Sequence, residues 1–199
     1  MKKGLLAFII FSSIIAVLGL MFGGTYNRLV SGEEAVKSAW AQVENVYQRR
    51  LDLIPNLVET VKGYAAHERE TLEGVVQARA KATQTNIGAD VINSPETFEK
   101  FQQSQGQLSS ALSRLMVVVE KYPDLKANQS FLNLQSQLEG TENRITVERM
   151  RFNEVAQSFN TLRRQFPTVI MANMMGFKEK AYFQADQGAS KAPTVNFGK

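Results

Sequence analysis

Read as a pattern of apolar and polar positions, the chain is one uninterrupted apolar run followed by amphipathic stretches. No charge occurs from Leu5 to Phe22. Farther on, Val36, Trp40, Val43, Tyr47, Arg50, Ile54, Leu57, Val61 and Tyr64 follow alternating steps of four and three, the period of a helix that buries one seam. Arg50 is the one residue of that series that is not apolar. The phase persists across Pro55, where a missing N–H and a ring clash predict either a bent continuous helix or a fresh start. Continuity is the preferred reading, with Leu72, Val75 and Val76 carrying the helix to about Lys81 and Gly63 as its weak point. The polar stretch from Thr83 to Asn93 predicts a loop.

A second helix has start signals in Ser94, Pro95 and Glu96: a capping side chain, a proline suited to the first turn and an acid that complements the helix dipole. Its buried stripe is Phe98, Phe101, Leu108, Leu112, Leu115 and Val119, and it ends near Tyr122, before Pro123. In the last helix Phe131, Leu138, Ile145, Phe152, Phe159 and Phe166 recur every seven residues, with Leu134, Val155 and Leu162 as companions. Thr141 and Glu148 put a polar patch in that companion series, and Pro167 marks its end. Short links between long helices imply antiparallel packing. The fold class expected is all-α: an N-terminal transmembrane helix followed by an antiparallel, coiled-coil-like bundle of three to four long helices.

The apolar run covers roughly 27 Å as a helix, against a hydrocarbon core about 30 Å thick, so it is just long enough to span. Lys2 and Lys3 before it also fit the basic start of a signal peptide, but bulky Leu20, Met21 and Phe22 spoil a small-residue cleavage site. A retained anchor is the preferred reading. Lys2 and Lys3 on one side nearly balance Arg28 and Lys37 on the other, and their closeness to the span favours an inside N-terminus. The expected location is the bacterial inner membrane as a single-pass protein, its soluble domain periplasmic or extracellular. Residues 1–24 are the anchor, 25–186 the bundle and 187–199 a flexible tail.

Composition narrows the chemistry. With no cysteine there are no disulfides, thiolate nucleophiles or sulfur-bound zinc. A net charge of +4 includes Lys2 and Lys3, which leaves the domain without the basic stripe that nucleic acid requires. His67 is the only histidine, in His67-Glu68-Arg69-Glu70, and it lacks a second histidine four residues on, so it reads as an exposed turn or helix-surface residue. No nucleophile elbow, phosphate loop or calcium loop is present. No catalytic residue, metal site or cofactor is expected.

Three features ask for partners. Arg50 and Glu148 either pair across the bundle or sit on seam edges with their charges in water. Gly140, in a helix that otherwise repeats in heptads, suggests close approach by a neighbouring helix or subunit. The apolar segment 168–177 is too short to cross a bilayer, and in it Val169, Ile170, Met171, Met174, Met175 and Phe177 must pack on the bundle's own end, on another protein or on lipid.

With those patterns in hand, the chain resembles the LemA family over almost its whole length. The resemblance rests on Tyr26-Asn27-Arg28-Leu29-Val30, Trp40, the stretch Arg49-Arg50-Leu51-Asp52-Leu53-Ile54-Pro55-Asn56-Leu57-Val58, Val61-Lys62-Gly63-Tyr64 and Ala78-Arg79-Ala80. It continues through Tyr122-Pro123-Asp124-Leu125-Lys126-Ala127-Asn128, Leu138-Glu139-Gly140-Thr141-Glu142-Asn143-Arg144-Ile145, Arg149, Phe152-Asn153, Asn160, Phe166-Pro167 and Phe177. The resemblance implies a helical bundle behind an N-terminal membrane helix, with no accepted enzymatic activity. Arg50, Asp52, Asn56, Glu142, Asn143, Arg144, Glu148 and Arg149 are then the candidate interaction or structural network.

The leading functional expectation is a non-enzymatic, membrane-anchored scaffold of the cell envelope that self-associates through its helical domain. The alternative is a regulatory adaptor for an envelope partner such as a membrane protease; an enzyme or ligand sensor using the bundle interior comes third. Expected partners are the lipid bilayer, further copies of the chain and an envelope protein, and not nucleic acid.

Overall fold

The computed structural model describes residues 2–85, 88 and 90–184. Every regular element among them is a helix. The first, α1, runs unbroken over Lys2–Tyr64, about 95 Å at 1.5 Å per residue, so the expected anchor and the first bundle helix are one element. Among the described residues no helix is long and apolar enough to cross a membrane. Along the start of α1, Leu5, Leu6, Phe8, Ile9, Ile10, Phe11 and Ile15 are exposed, with nothing among the described residues covering them.

Pro55 does not break α1. Its ring leaves the Leu51 carbonyl without the N–H of the next turn, and Arg79 Nε from the following helix donates to that oxygen at 2.9 Å. The break comes instead just after Gly63: a turn at 65–68 separates α1 from α2, Arg69–Gln84. The expected continuation to Lys81 is therefore two helices. Folding back lets Leu72, Val75, Ala78 and Ala82 share a core with Leu57 and Val61, which a straight helix would leave in water. His67 lies exposed in the turn.

A 3-10 turn at Val91–Asn93 leads into α3, Pro95–Val119, where the Ser94 hydroxyl accepts from the Thr97 N–H. Pro123 does more than stop a helix, since it opens the short α4, Pro123–Lys126. Next comes α5, Gln129–Arg164, capped by Asn128 Oδ1 accepting from the Phe131 N–H at 3.0 Å. The described residues end in α6, Thr168–Met174, and an extended strap at 177–184; the tail expected at 187–199 lies outside them.

Cross-contacts fix the directions. Trp40 meets Phe152 at 5.3 Å while Asn128 Nδ2 donates to Tyr64 Oη at 2.9 Å, so α5 is antiparallel to α1. Trp40 also meets Phe98 at 5.8 Å and Tyr122 Oη donates to Glu68 at 3.0 Å, so α3 runs parallel to α1. With α2 returning between them, this is the expected antiparallel bundle in up-down-up-down order.

The core is in two parts. One, around Trp40, Phe98, Phe101, Phe152 and Phe183, fills the end toward the N-terminal part of α1. The other, around Ile54, Leu57, Leu108, Leu115 and Phe131, fills the far end. Buried Arg50, Ser104, Gln105 and Thr141 lie between them in sequence on α1, α3 and α5.

One expectation needs correction and another is narrowed. Phe166 is not the last seam residue: α5 ends at Arg164, and Phe166 is 82% exposed ahead of a cis bond to Pro167. Among the described residues close helix approach occurs at Gly32 of α1, where a Cβ would lie 3.1 Å from the Phe159 ring; at Gly140 no helix of this chain comes within 4 Å of a Cβ, which leaves the approach of a neighbouring subunit.

Candidate functional site

Arg50 is the centre of the predicted network, and it does not reach water: it is 2% exposed. Its Nη1 donates to Ser109 Oγ and to Glu142 Oε2, both at 3.0 Å, its Nη2 donates to Gln105 Oε1, and its guanidinium lies over the Tyr47 ring at 5.0 Å. One arginine thus ties α1 to α3 and α5. The partner is Glu142, so neither alternative drawn from the sequence, a pair with Glu148 or a seam-edge Arg50 with its charge in water, holds. Six residues separate those two glutamates, about 9 Å along α5, which puts Glu148 out of level with Arg50. Arg50 Nε and Gln105 Nε2 are buried without an acceptor among the described residues. Such a layer specifies register more than it adds stability, because desolvating the charge offsets much of the pairing energy.

The other members disperse. Asp52 is exposed and accepts from Gln48 Nε2 at 2.8 Å on its own helix. Asp52, Arg144 and Glu148 line a shallow recess with Arg49, and Glu148 Oε2 is buried there with no donor. Asn56 and Asn143 are exposed. Arg149 belongs elsewhere: its Nη2 donates to the Gln184 carbonyl at 3.1 Å and its guanidinium covers the Phe183 ring at 4.7 Å.

Segment 168–177 divides by helical face. Thr168, Met171 and Ala172, spaced at three and four residues, turn inward and are buried, so Met171 is unavailable to lipid or a partner. Val169 and Phe177 are half-buried, while Ile170, Met174 and Met175 face solvent.

The most elaborate polar site is the strap, and it lies outside the predicted network. Asn160 Nδ2 donates to the Lys180 carbonyl at 2.9 Å and Asn160 Oδ1 accepts the Lys180 N–H at 2.9 Å. Seven residues earlier Asn153 repeats the device on Phe183, at 3.0 and 2.9 Å. Lys180 itself is buried, with Nζ donating to Glu33 Oε1 and to Asn93 Oδ1, both at 2.6 Å. Phe183 enters the aromatic core, 4.8 Å from Phe98 and 5.7 Å from Phe152. One signal was present in the sequence: each asparagine directly follows a seam phenylalanine, at Phe152-Asn153 and Phe159-Asn160.

Nearby, burial pushes the Glu44 carboxyl above its usual range, and a hydrogen bond from Trp40 opposes that shift. Among the described residues no three histidine or carboxylate side chains gather as a metal-binding group. What the geometry does is lock helices together and hold a chain end on the bundle.

The model of a protein family described as the LemA family matches residues 39–197, which include the Arg50 layer, Arg79 and both strap asparagines. The chain is similar to Protein LemA of Metamycoplasma hominis, 26% identical over 173 residues that cover 87% of this chain and 75% of that one. It is similar also to Magnetosome protein MamQ 2 of Paramagnetospirillum magneticum, 26% identical over 186 residues, 85% of this chain and 68% of that protein. Magnetosome protein MamQ of Magnetospirillum gryphiswaldense is 25% identical over the same extent.

Proposed function

This chain belongs to the LemA family, and from that premise we propose that it is a non-enzymatic scaffold of the bacterial cell envelope, anchored in the inner membrane by the start of α1 and self-associating through its bundle. The observation that carries the reading is the continuity of α1. Leu5, Leu6, Phe8, Ile9, Ile10, Phe11, Ile15 and Phe22 are exposed among the described residues, and a hydrocarbon core about 30 Å thick suits a stretch of that length. Because the same helix enters the bundle with no joint, the bundle and the anchoring stretch move as one body.

Support for self-association comes from the outer side of α5. Leu132, Val147 and Met150 are exposed there, and Gly140 and Asn143, also exposed, fall within the same arc of about 100° at 3.6 residues per turn. Gly140 has open space where a side chain would stand, so a helix from another copy has room to approach closely. Anchoring keeps copies in two dimensions at high effective concentration, which makes a weak face sufficient. The soluble domain belongs on the outer side of the membrane, as the lysines before the span favour.

Anchoring and side are tested together on the full chain carrying Val117→Cys, its only thiol, at an exposed position of α3 outside the proposed face. The chain is expected in the membrane pellet after alkaline carbonate extraction and is labelled by an impermeant maleimide in intact spheroplasts. Release by carbonate contradicts the anchor, and labelling only after lysis contradicts the outward domain.

A further inference from the structure

The end of the bundle nearest the apolar stretch of α1 carries a second apolar surface. α5 arrives there antiparallel to α1, with Phe159 and Leu162 against Gly32, and the chain then turns through Phe166 and Pro167 into α6. The inward face of α6 joins the core with Leu29. Its outward side shows Phe166, Ile170, Met174 and Met175, the first 82% and the third 69% exposed. Single exposed apolar residues are ordinary, but four large ones within ten positions at one end of a bundle form a patch.

Depth identifies its occupant. Phe177, just after α6, meets the Tyr26 ring edge-on at 6.1 Å, which sets this end of the bundle level with Tyr26. Tyr26 is four residues beyond Phe22, about 6 Å along the helix. Each headgroup layer is about 5–8 Å thick, the difference between a bilayer of 40–45 Å and its 30 Å core shared over two sides. The patch therefore sits at headgroup depth, where aromatic and flexible thioether side chains find an apolar underside and a wet top. Exposed cations surround it at Arg28, Arg164 and Lys178. The nearby acids are engaged, Glu33 with Lys180 and Glu179 within 3.9 Å of Arg163.

We propose that Phe166 and α6 are a second membrane contact: an interfacial foot that lies on the anionic surface of the same bilayer that α1 enters. The proposal rests on the anchoring of α1 and adds to it. Two contacts, one through the bilayer and one on it, fix the tilt of the bundle and its rotation about α1, which a single helix leaves free. Self-association through one face of α5 needs that constraint.

The chain has no cysteine, so single thiols at exposed sites carry an environment-sensitive dye without other labelling. Full-length Ile15→Cys, Met174→Cys and Val117→Cys are labelled in vesicles of phosphatidylcholine and phosphatidylglycerol. Acyl chains brominated near the headgroup should quench the dye at 174, deeply placed bromines the dye at 15, and only aqueous iodide the dye at 117, which lies at the far end of the bundle. If 15 is quenched by lipid while 174 is quenched only by iodide, the foot is overturned and the anchor stands. If 174 is shielded from bromine and iodide alike, protein covers the patch and the lipid assignment is wrong. If 15 is reached only by iodide, the anchor itself fails and the foot with it.

Discussion

Arg79 completes the backbone of a helix to which it does not belong: its Nε donates at 2.9 Å to the Leu51 carbonyl, the acceptor that Pro55 leaves without an N–H one turn later. The side chain of α2 thereby repairs α1 at the proline, so that α1 continues to Tyr64. Removing it strands a half-buried carbonyl. Arg79→Ala should lower stability by about 1–3 kcal/mol. In a Pro55→Ala background the residue at 55 supplies its own N–H, and the same substitution should cost clearly less. Urea denaturation of the four proteins in that cycle checks the coupling; equal costs in both backgrounds would show that Arg79 acts independently of the proline.

The strap gives the second prediction. Asn160→Ala removes both hydrogen bonds to the Lys180 backbone and the contact from Asn160 Nδ2 to Tyr182 Oη. Each backbone group left dry costs about 1–3 kcal/mol. Amide exchange at Lys180 and Phe183 should become fast while the α3 and α5 core stays protected, because the strap opens as its own unit. Protection that falls uniformly through the bundle would show that the strap and the bundle open together.

Arg50 is a buried cation whose carboxylate partner, Glu142, is 55% exposed. Arg50→Ala leaves a cavity between the two parts of the core, with Glu142 free to turn to water, and should cost about 3 kcal/mol. Arg50→Met combined with Gln105→Leu removes the two buried nitrogens that lack acceptors. That double variant should fall within about 1 kcal/mol of the parent or exceed it, while pairing of α3 with α1 and α5 becomes less exclusive. Thermal unfolding checks the first point, and disulfide trapping of alternative registers the second.

Glu44 predicts a pH effect. Its carboxyl lies above the usual range because burial disfavours the charge, with the Trp40 hydrogen bond opposing. A folded value above the unfolded one makes the folded chain hold its proton longer. The contribution is full below the unfolded value and is lost as pH rises through the folded one, so this group lowers stability at neutral pH. Glu44→Gln, which keeps an acceptor for the indole, should raise stability at pH 7 and flatten its decline as pH rises above the ordinary carboxylate range. The gain is small because the group is partly in water. Denaturant midpoints across that rise in pH check the sign.

Much of this architecture can be read from periodicity. The seam of α1 from Val36 to Val61 and the sevenfold repeat from Phe131 to Phe159 each describe a face that must be buried, and each is buried, whereas Tyr64 at the end of the seam is exposed; Ser94 caps α3 as its sequence signals. What periodicity does not carry is who stands opposite. Glu148 shares Arg50's place in the seam pattern, but the antiparallel register of α1 and α5 brings Glu142 level with Arg50 instead. Arg79 meets Leu51 through the fold-back after Gly63. The strap has no repeat to detect, since it is held by side chains on another element. Gly140 and Gly32 look alike in sequence, and only packing distinguishes open surface from a ring at 3.1 Å.

The central claim is that anchored copies associate through the outer face of α5. Its most direct test counts copies of the full-length chain in single lipid nanodiscs by mass photometry, for the parent and for Val147→Asp. Val147 is 54% exposed, so a charge there should change folding stability by less than about 0.5 kcal/mol. The account predicts several copies per disc for the parent and a collapse toward one for Val147→Asp, with unfolding midpoints unchanged. One copy per disc for the parent, at protein excess, contradicts it.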